Sequence, residues 1–519
     1  MRKRLTSLAP KTVLLSVHDK TNIVEFSLQL QHLGCTLLAS GGTAAALDEA
    51  GVGLVSVDEV TGFPTMMDGR VKTLHPHVHG GILSRRKKDH DDVDKYGITE
   101  IDIVVVNLYP FSNVVSQEAC SHDEAIENID IGGAALIRAG AKNHEHVLVV
   151  VDPKDYRAVI ARFQKGELDY EYRYHMATKA FAHVASYDIA IAQYFSRAEK
   201  FPETSFLALN KSFDLRYGEN PHQEAALYSV DNSNSSGTVV SASLVQGKQL
   251  SYNNIADVDA ALECVSRFSE PACVIVKHGN PCGVAISTNA EQAYLKAFAT
   301  DATSAFGGIL AFNVPLEGDT LQLIIENQFV EVVIAPQIDA SARQVAKQRK
   351  SLRVLELGAR FSLRNELQYR HVSGGYLLQD SDTKTLDSQS SKCVTERAPS
   401  KTELEDLEFA WNVAKHVKSN AIVIAKDKRT VGIGAGQMSR VVSAKIATMK
   451  AQEAEFNMVG AVLASDAAFP FRDSIDTAAA AGISAVIQPG GLRRDQEVIE
   501  AANESGMAML FTGVRHFRH

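Results

Sequence analysis

A partial internal repeat in the last three hundred or so residues is the feature that most constrains the fold of this 519-residue chain. Three pairs of segments match in the same order: 273–285 with 422–434, 307–311 with 460–464, and 333–336 with 486–489. The first pair aligns Lys277 with Lys426 at an offset of 149 residues (426 minus 277), and the other two pairs keep an offset of 153 (460 minus 307, 486 minus 333). A period of this length indicates duplicated domains and not a solenoid. The sequence therefore predicts two copies of one α/β unit.

The first copy carries a candidate catalytic pair at the end of a predicted strand. Cys273 to Val276 is a short apolar run rich in β-branched residues, which is typical of a buried strand. Lys277 and His278 follow it directly, and the turn-forming run GNP comes next. Ligands of open α/β sheets bind beside the carboxyl ends of strands, although a solvated lysine and a hydrogen-bonding histidine in a loop fit this stretch equally well. Asp427 stands at the histidine position of the second copy, so the catalytic prediction rests on the first copy.

The first part of the chain predicts a separate α/β domain with anion-binding turns. Residues 11–152 alternate short β-rich runs with amphipathic stretches, which predicts a parallel sheet covered by helices. Small and polar residues follow two of these runs, where backbone N–H groups and a helix N-terminus favour an anion; both turns are also common as ordinary connections. They are Ser16 and Lys20 after the first run, and Ser40, Gly41, Gly42 and Thr43 after the second. Arg70, Lys72 and Thr73 form a further dense anion-binding set.

Histidines at positions 75, 77 and 79 raise the question of a metal site. Alternate residues of a strand share a face, so His75, His77 and His79 could in principle point at one ion. Pro76 interrupts such a strand, and no clustered carboxylates or cysteines accompany the histidines. We therefore expect no metal requirement, with a monovalent cation left open.

Charge and composition limit the partners and the compartment. The net charge of −9 argues against nucleic acid as the main partner. No apolar run approaches the ~20 residues that a membrane span needs. The six cysteines are scattered without a CxxC motif, as in proteins of a reducing cytosol. These features predict a cytoplasmic protein whose main partner is not nucleic acid, and the polar stretch near residues 200–212 is the best domain boundary.

Nine motifs along nearly the whole chain together resemble one known family. They are RVKTLHP, NLYPF, IDIGG with RAGAKNH, LRYGENPHQ, KHGNPCG, TSAFGG, GAGQMSR, SDAAFPFRD and the terminal RHFRH. In this order they resemble the bifunctional purine-biosynthesis family PurH, which joins an IMP cyclohydrolase to an AICAR transformylase. The resemblance implies an α/β protein with a methylglyoxal-synthase-like parallel-sheet domain (1–200) and two duplicated cytidine-deaminase-like domains (201–380 and 381–519). It also implies a homodimer.

The resemblance implies that the second part of the chain transfers a formyl group from the co-substrate 10-formyltetrahydrofolate to the 5-amino group of AICAR. It assigns the catalytic roles to Lys277, His278 and Asn420. The positions that match the nucleotide side are Arg216, Tyr217, Asn254, Gly307, Glu331, Arg515 and Phe517. The positions that match the folate side are Arg440, Phe469, Pro470, Phe471 and Asp473.

For the first domain, the resemblance implies dehydrative closure of the formylated product FAICAR to IMP. It assigns the catalytic group to Lys72, Tyr109, Asp130 and Lys142, of which Lys142 could otherwise be a charge that complements a helix C-terminus. The phosphate of the nucleotide would be held by Arg70, Thr73, Asn107 and the Ser16–Lys20 and Ser40–Thr43 turns.

Three other functions compete with this interpretation. A zinc deaminase needs an H-x-E motif and a Pro-Cys-x-x-Cys motif, and Pro281-Cys282 has no second cysteine. A dinucleotide enzyme is suggested by Gly432, Gly434 and Gly436. Their spacing is GxGxG, however, whereas the dinucleotide fingerprint GxGxxG has its third glycine one residue later. A nucleotide sensor without catalysis would need the phosphate turns but not the lysine–histidine pair, so turnover would separate it from an enzyme.

Overall fold

The computed structural model describes residues 7–230, 236–359, 361, 366–386 and 391–519. By its contacts the chain divides into two compact units, Met1–Leu209 and Asn210–His519. Within the described residues, no helix has the length and apolar character needed to cross a membrane.

The first unit is a five-stranded sheet with helices on both faces. Its strands are β1 (Thr12–Val17), β2 (Thr36–Ala39), β3 (Val55–Ser56), β4 (Ile103–Asn107) and β5 (Leu148–Val150). Its helices are α1 (Ile23–His32), α2 (Gly41–Glu49), α3 (Val57–Thr61), α4 (Pro76–Leu83), α5 (His90–Lys95), α6 (Phe111–Val115), α7 (His122–Glu127), α8 (Gly132–Lys142), α9 (Tyr156–Lys165) and α10 (Tyr170–Ser196). The sheet order is β3-β2-β1-β4-β5 and every pairing is parallel, which confirms the predicted parallel sheet.

The central strands of this sheet are buried on both faces, as their apolar runs predict. In β1, Val13 and Leu15 join the core on one face and Leu14 joins the core on the other. In β4, Val105 and Val104 divide in the same way. Polar groups of this sheet are therefore accessible mainly where the strands end.

The second unit contains one long mixed sheet. Its strands and those of two small ribbons are β6 (Leu209–Asp214), β7 (Ala226–Val230), β8 (Ser243–Gln246), β9 (Ala272–Lys277), β10 (Asn280–Ile286), β11 (Gly308–Phe312), β12 (Val330–Ala335), β13 (Arg353–Glu356), β14 (Leu367–Val372), β15 (Gly375–Asp380), β16 (Lys392–Cys393), β17 (Ile422–Lys426), β18 (Arg429–Gly434), β19 (Val462–Ser465), β20 (Ala485–Gln488) and β21 (Ala508–Phe511). Its helices are α11 (Tyr252–Val265), α12 (Ala290–Thr300), α13 (Ala302–Ala305), α14 (Gly318–Asn327), α15 (Ala340–Ala346), α16 (Lys401–Ala414), α17 (Arg440–Glu453), α18 (Asp473–Ala480) and α19 (Asp495–Glu504). Strands β6–β7 and β14–β15 form the two ribbons.

The topology of this sheet confirms the predicted duplication. Outward from the centre, the first copy reads β10-β9-β11-β12-β13-β8, and the second reads β18-β17-β19-β20-β21-β16 in the matching order. The copies join through the antiparallel pair β10–β18. Helices α11, α12, α14 and α15 correspond in chain order to α16, α17, α18 and α19, whereas α13 belongs to the first copy alone.

The two copies share a core on one face of the sheet and have separate cores on the other. Val274 and Val423, in β9 and β17, point into the shared core with residues of α11 and α16. Their neighbours Ile275 and Ile424 point the other way, into the separate cores of the first and second copies. The shared core makes the pair of copies one packed body.

Candidate functional site

The predicted Lys277–His278 pair lies at a tight hairpin turn between β9 and β10. His278 and Gly279 form the two-residue turn with φ of 52° and 72°, the left-handed geometry that two-residue hairpins favour. The carboxylate of Asp257, in α11, accepts the N–H of Gly279 at 2.7 Å. Burial raises the pKa of Asp257, and the turn N–H bonds and the charges of His278 and Lys277 oppose that shift. The turn leaves His278 exposed and Lys277 half-buried.

Lys277 is held by two carbonyl groups. Its Nζ donates to the carbonyl oxygens of Phe306 at 2.9 Å and of Gly307 at 3.1 Å, just before β11 begins. Gly307 has φ of 67°, and a Cβ there would lie 3.0 Å from the Lys277 Nζ. Because β11 runs antiparallel to β9, the site combines the carboxyl end of β9 with the amino ends of β11 and β12. The candidate pair thus stands at the carboxyl end of β9, beside the amino ends of the two neighbouring strands.

The second copy repeats the main contacts of this hairpin. Lys426 ends β17, and its Nζ donates to the carbonyl oxygen of Val459 at 2.7 Å. Asp406 accepts the N–H groups of Asp427 at 2.9 Å and Lys428 at 2.7 Å, and both turn residues have φ of 54°. The lysine, the capping aspartate and the left-handed turn are thus common to both copies, while only the first copy has an imidazole in the turn.

Two cavities that share Gln437 lie near the first hairpin, the one with Lys277 and His278. One of about 260 Å³ is lined by residues of both copies, including Lys277, His278 and Gln437. The other, of about 360 Å³, shares Gln437 and is lined also by Asn420 and Phe517. The structure therefore brings the three predicted transformylase residues to one pair of cavities.

Asn420 is oriented by a buried ion pair. Its Oδ1 accepts from Arg440 Nη2 at 2.6 Å, and its Nδ2 donates to the carbonyl oxygen of Gln437 at 2.7 Å. Arg440 is buried and also forms an ion pair with Asp466. In this arrangement Arg440, which was predicted on the folate side, positions Asn420 and has its charge balanced by Asp466.

The other predicted folate-side residues surround the start of α18. Phe469 is fully buried, and its N–H donates to Gln488 Oε1 at 2.9 Å. Pro470 and Phe471 are exposed, and Asp473 begins α18. Of this group, Phe469 alone is buried, whereas Pro470, Phe471 and Asp473 are exposed.

Two of the predicted nucleotide-side residues contact each other at the Lys277 edge of the sheet. Asn254 is buried, caps α11 together with Ser251, and donates from Nδ2 to Glu331 Oε2 at 3.0 Å. Glu331 lies at the amino end of β12, next to the strand that follows Gly307. Arg216 and Tyr217 pair with each other, the guanidinium 5.5 Å from the ring centroid.

The C-terminal tail is anchored and not frayed. His516 is only 2% exposed; its Nδ1 pairs with Asp382 at 2.5 Å, and its ring meets Trp411 edge-on at 5.2 Å between centroids. Arg515 is exposed and lies over the ring of Phe517, 4.2 Å from the centroid. The buried histidine therefore fixes the two tail residues that were predicted to contact substrate.

In the first unit, two lysine ammonium groups lie at the N-terminus of α2. A Cβ added at Gly41 would lie 2.9 Å from the Nζ of Lys72, and one added at Gly42 would lie 3.8 Å from the Nζ of Lys20. Ser40 is the residue before the helix, and its side chain makes no capping hydrogen bond. A helix N-terminus and two ammonium groups all attract negative charge, so this place suits an anion such as phosphate.

Asp130 and Tyr109 lie together beside this place. Burial raises the pKa of Asp130, although N–H bonds from Gly133 and Tyr109 and the charges of Lys72 and His18 act against the shift. Burial and the Asp130 charge raise the pKa of Tyr109, which keeps its phenol protonated at neutral pH. The rings of His18 and Tyr109 meet edge-on at 5.4 Å. Lys72, Tyr109 and Asp130 are therefore close enough to act on one substrate.

Some of the predicted phosphate ligands are used within the protein. Thr43 Oγ1 bonds the N–H of Val17 at 2.9 Å and its carbonyl at 3.0 Å. Asn107 Oδ1 accepts the N–H groups of His18 at 2.6 Å and Asp19 at 2.8 Å. Ser16 is half-buried at the end of β1. Thr43 and Asn107 thus shape the turn after β1, and a ligand would meet that turn's backbone first.

Three other predicted residues of the first unit lie at different distances from the cluster of Lys72, Tyr109 and Asp130. Thr73 is buried, with its Oγ1 3.0 Å from where a Cβ of Gly132 would lie, at the start of α8. Arg70 forms an exposed ion pair with Glu127. Lys142 ends the 11-residue helix α8, so about 15 Å of helical rise separates it from Gly132. Within the chain, the structure does not bring Lys142 to the other three predicted catalytic residues, and its role stays a prediction.

The histidine run at 75–79 and the glycine run at 432–436 both have local structural explanations. His75 caps α4, and His77 and His79 lie inside that helix, where a spacing of two does not share a face. In the described parts of the chain, no group of three or more His, Cys, Asp or Glu side chains is arranged to hold a metal ion. Gly432 and Gly434 lie in β18 and not in a phosphate loop; a Cβ there would lie 2.1 Å from the Ala447 carbonyl oxygen and 2.0 Å from that of Ser443. These glycines let α17 pack closely on the strand.

The sequence reasoning missed several carboxylates that support the site. Asp257 and Asp406 obey the same 149-residue offset as the lysines (406 minus 257), so extending the repeat upstream would have found them. Asp466, Asp382 and Asp301 carry no comparable signal, because their partners are distant in sequence.

Two family models match parts of the chain. Residues 140–450, more than half of the chain, match the family model described as AICARFT/IMPCHase bienzyme. Residues 22–135 match the model of the MGS-like domain. A solved structure described as "Crystal structure of ForH" is 35% identical and covers 36% of this chain and 98% of its own, with a TM-score of 0.33. That overlap in shape is too small to carry an argument.

Proposed function

Because the chain belongs to the AICARFT/IMPCHase bienzyme family, we propose that it catalyses the last two steps of de novo IMP synthesis. The second unit transfers the formyl group of 10-formyltetrahydrofolate to AICAR, and the first unit closes the product FAICAR to IMP. Both substrates are small molecules. We further propose that the protein is cytoplasmic and that it is a homodimer; light scattering would test the dimer.

The observation that carries the proposal is the contrast between the two hairpins. Both hold a lysine on a carbonyl oxygen and a turn on an aspartate, but only the first places an imidazole beside the 260 Å³ cavity. A histidine titrates near neutral pH and can accept a proton there, whereas an aspartate in its place is too weak a base for an amine.

Formyl transfer then follows from the charges at the first hairpin. The 5-amino nitrogen of AICAR attacks the formyl carbon while the exposed imidazole of His278 takes its proton. The carbon–N10 bond of the folate breaks, and the Lys277 ammonium supplies the proton that N10 requires. Asn420 orients the substrates through its fixed amide. The carbonyl oxygens of Phe306 and Gly307 keep the ammonium aimed during the step.

Ring closure uses the cluster in the first unit. The carboxamide nitrogen attacks the formyl carbon, the two nitrogens each lose a proton, and the formyl oxygen leaves as water. Asp130, whose pKa is raised by burial, is a better base than an ordinary aspartate and accepts the carboxamide proton. The Lys72 ammonium and the Tyr109 phenol stabilise the oxyanion. The phosphate lies at the N-terminus of α2.

The test is the formation of IMP from AICAR and 10-formyltetrahydrofolate by the pure protein. His278→Ala should lower transformylase turnover by about 10² to 10⁴, the usual effect of a positioned base, and Lys277→Met by at least as much. Lys426→Met is a matched control, because it loses the same lysine–carbonyl contact in the second copy. Near-normal transformylation by both first-copy variants, with the control inactive, would overturn the assignment.

A further inference from the structure

The ion pair between Asp301 and Lys450 links the two copies beside the candidate site. Asp301 lies between α12 and α13 of the first copy, and Lys450 lies in α17 of the second. Their side chains are 12% and 33% exposed, and both line the 260 Å³ cavity.

Resting on the function proposed above, we propose that the Asp301–Lys450 pair is a positioning element for Lys277. Through this pair the second copy holds the carbonyl groups of the first copy against the Lys277 ammonium. Neither residue needs to touch the reacting atoms for this role.

The connection between the pair and Lys277 is the short helix α13. Asp301 caps it: its carboxylate accepts the N–H of Ser304 at 2.9 Å and the Ser304 hydroxyl at 2.7 Å. A helix of four residues is far too short to be stable alone, so its geometry depends on this cap. Phe306 and Gly307 follow α13 directly, and their carbonyl oxygens hold Lys277. A shift of the cap is therefore transmitted to those carbonyl groups over five or so residues.

The residue before the cap is also tied to the second copy. Thr300 is buried, and its hydroxyl donates to the carbonyl oxygen of Thr430 at 2.7 Å and lies 2.9 Å from the Thr430 hydroxyl. Helix α13 thus starts from a point that is fixed by two side-chain contacts across the copies. The second copy has no counterpart of α13, because α17 continues through Lys450 to Glu453. Helix α13, with its contacts to the second copy, therefore occurs only in the copy that carries His278.

Lys450→Met tests the proposal in the full-length protein. We expect the transformylase kcat to fall about tenfold to hundredfold, as a misplacement of about 1 Å predicts, with the KM values for AICAR and folate within twofold. Lys450→Arg, which keeps the charge and reaches Asp301, should restore most of the activity. In single-turnover assays on a Lys277→Met background, Lys450→Met should have no further effect, because its action passes through Lys277.

The alternatives give different results. A raised KM for folate with an unchanged kcat would overturn the proposal and make Lys450 a substrate ligand. An undiminished effect in the Lys277→Met background would also overturn it. If Lys450→Met unfolds the unit, seen as a shift in the emission of the only tryptophan, Asp301→Asn with the same readouts decides instead. Wild-type protein that forms no formylated product would overturn the proposed function, whereas active wild-type and equally active Lys450→Met would overturn this inference alone.

Discussion

Replacing His516 by alanine should detach the C-terminal tail and weaken nucleotide binding in the second unit. The histidine is buried, bonded to Asp382 and packed on Trp411, whereas its neighbours Arg515 and Phe517 are exposed and Phe517 lines the 360 Å³ cavity. Loss of the anchor should therefore act on those neighbours through position and not through chemistry. Removing residues 515–519 is the extreme form of the same change and should abolish transformylation while sparing ring closure.

The size of the effect follows from two contacts. A hydrogen bond to a charged group is worth about 1.5–3 kcal/mol, and the lower end applies because the Asp382 side chain is 45% exposed. The edge-on ring pair adds about 0.5–1.5 kcal/mol. Together, about 2–3 kcal/mol corresponds to an increase of about 30- to 150-fold in the population in which residues 515–517 are displaced, while Arg518 stays tied to Glu263 and Ser419. The KM for AICAR should rise in proportion once that population dominates.

The assay uses the only tryptophan of the chain as a reporter. Because Trp411 touches His516, its emission should change in His516→Ala, and the KM for AICAR should change with it. Unchanged emission together with an unchanged KM would show that this contact does not hold the tail. A cyclohydrolase assay on the same sample serves as the control, since that site lies in the first unit.

The same contact predicts a pH dependence. Burial acts to raise the pKa of Asp382, but hydrogen bonds from His516 and Lys415 outweigh it, so the pKa lies well below its usual range. A carboxyl with a depressed pKa stabilises the folded state above its unfolded pKa of about 3.9, and that stabilisation is lost as the pH falls through the lower folded value. The Trp411 signal of the wild type should therefore hold from pH 7 to about 4 and change below it. Asp382→Asn should lack that acid transition, and an identical acid titration of both proteins would contradict the assignment.

Four further predictions concern other parts of the molecule. Fragments 1–209 and 210–519 should separate ring closure from formyl transfer, and two folded but inactive fragments would refute the division into two sites. Gly307→Ala places a methyl group 3.0 Å from the Lys277 Nζ in a left-handed backbone, so transformylase kcat should fall and stability should drop by about 1 kcal/mol in urea unfolding. Asp130→Asn should abolish ring closure and leave the rate of FAICAR formation unchanged; retained IMP formation would exclude Asp130 as the base. Gly283→Ala puts a Cβ 2.0 Å from a backbone carbonyl of α12 and should cost about 3 kcal/mol or more, whereas a near-native melting temperature would contradict that packing.

The fold was predictable where it depends on local pattern and on the repeat. Alternating β-rich and amphipathic runs predicted the parallel sheet of the first unit, and the 149-residue offset predicted the paired hairpins. The direction of the strands beside β9 was not predictable, because an apolar run reads the same in parallel and antiparallel pairs. The histidine run at 75–79 was ambiguous in another way. Its spacing of two fits alternation on a strand, whereas Pro76 is the first residue of a helix.

The sequence singles out the candidate lysine and histidine of the site but not the groups that support them. Lys277 and His278 stand next to a recognisable strand end, but the carbonyl groups that hold the lysine come from a segment 30 residues away. The ion pair of Arg440 with Asp466 and the burial of Phe469 depend on packing between elements, which a single sequence does not encode locally. Lys142 shows the converse: a motif match groups it with Asp130, and the length of α8 separates them.

The two matching hairpins are duplicated copies of one structural unit within a single chain. In the second one, a lysine, a capping aspartate and a left-handed turn are already assembled around Asp427, a position whose backbone tolerates a full side chain. One codon change, Asp427→His, would give the second hairpin the same lysine–histidine pair as the first. A genetic selection for growth without purines, started from a His278→Ala strain that carries this change, would measure how far apart the two halves have drifted since duplication.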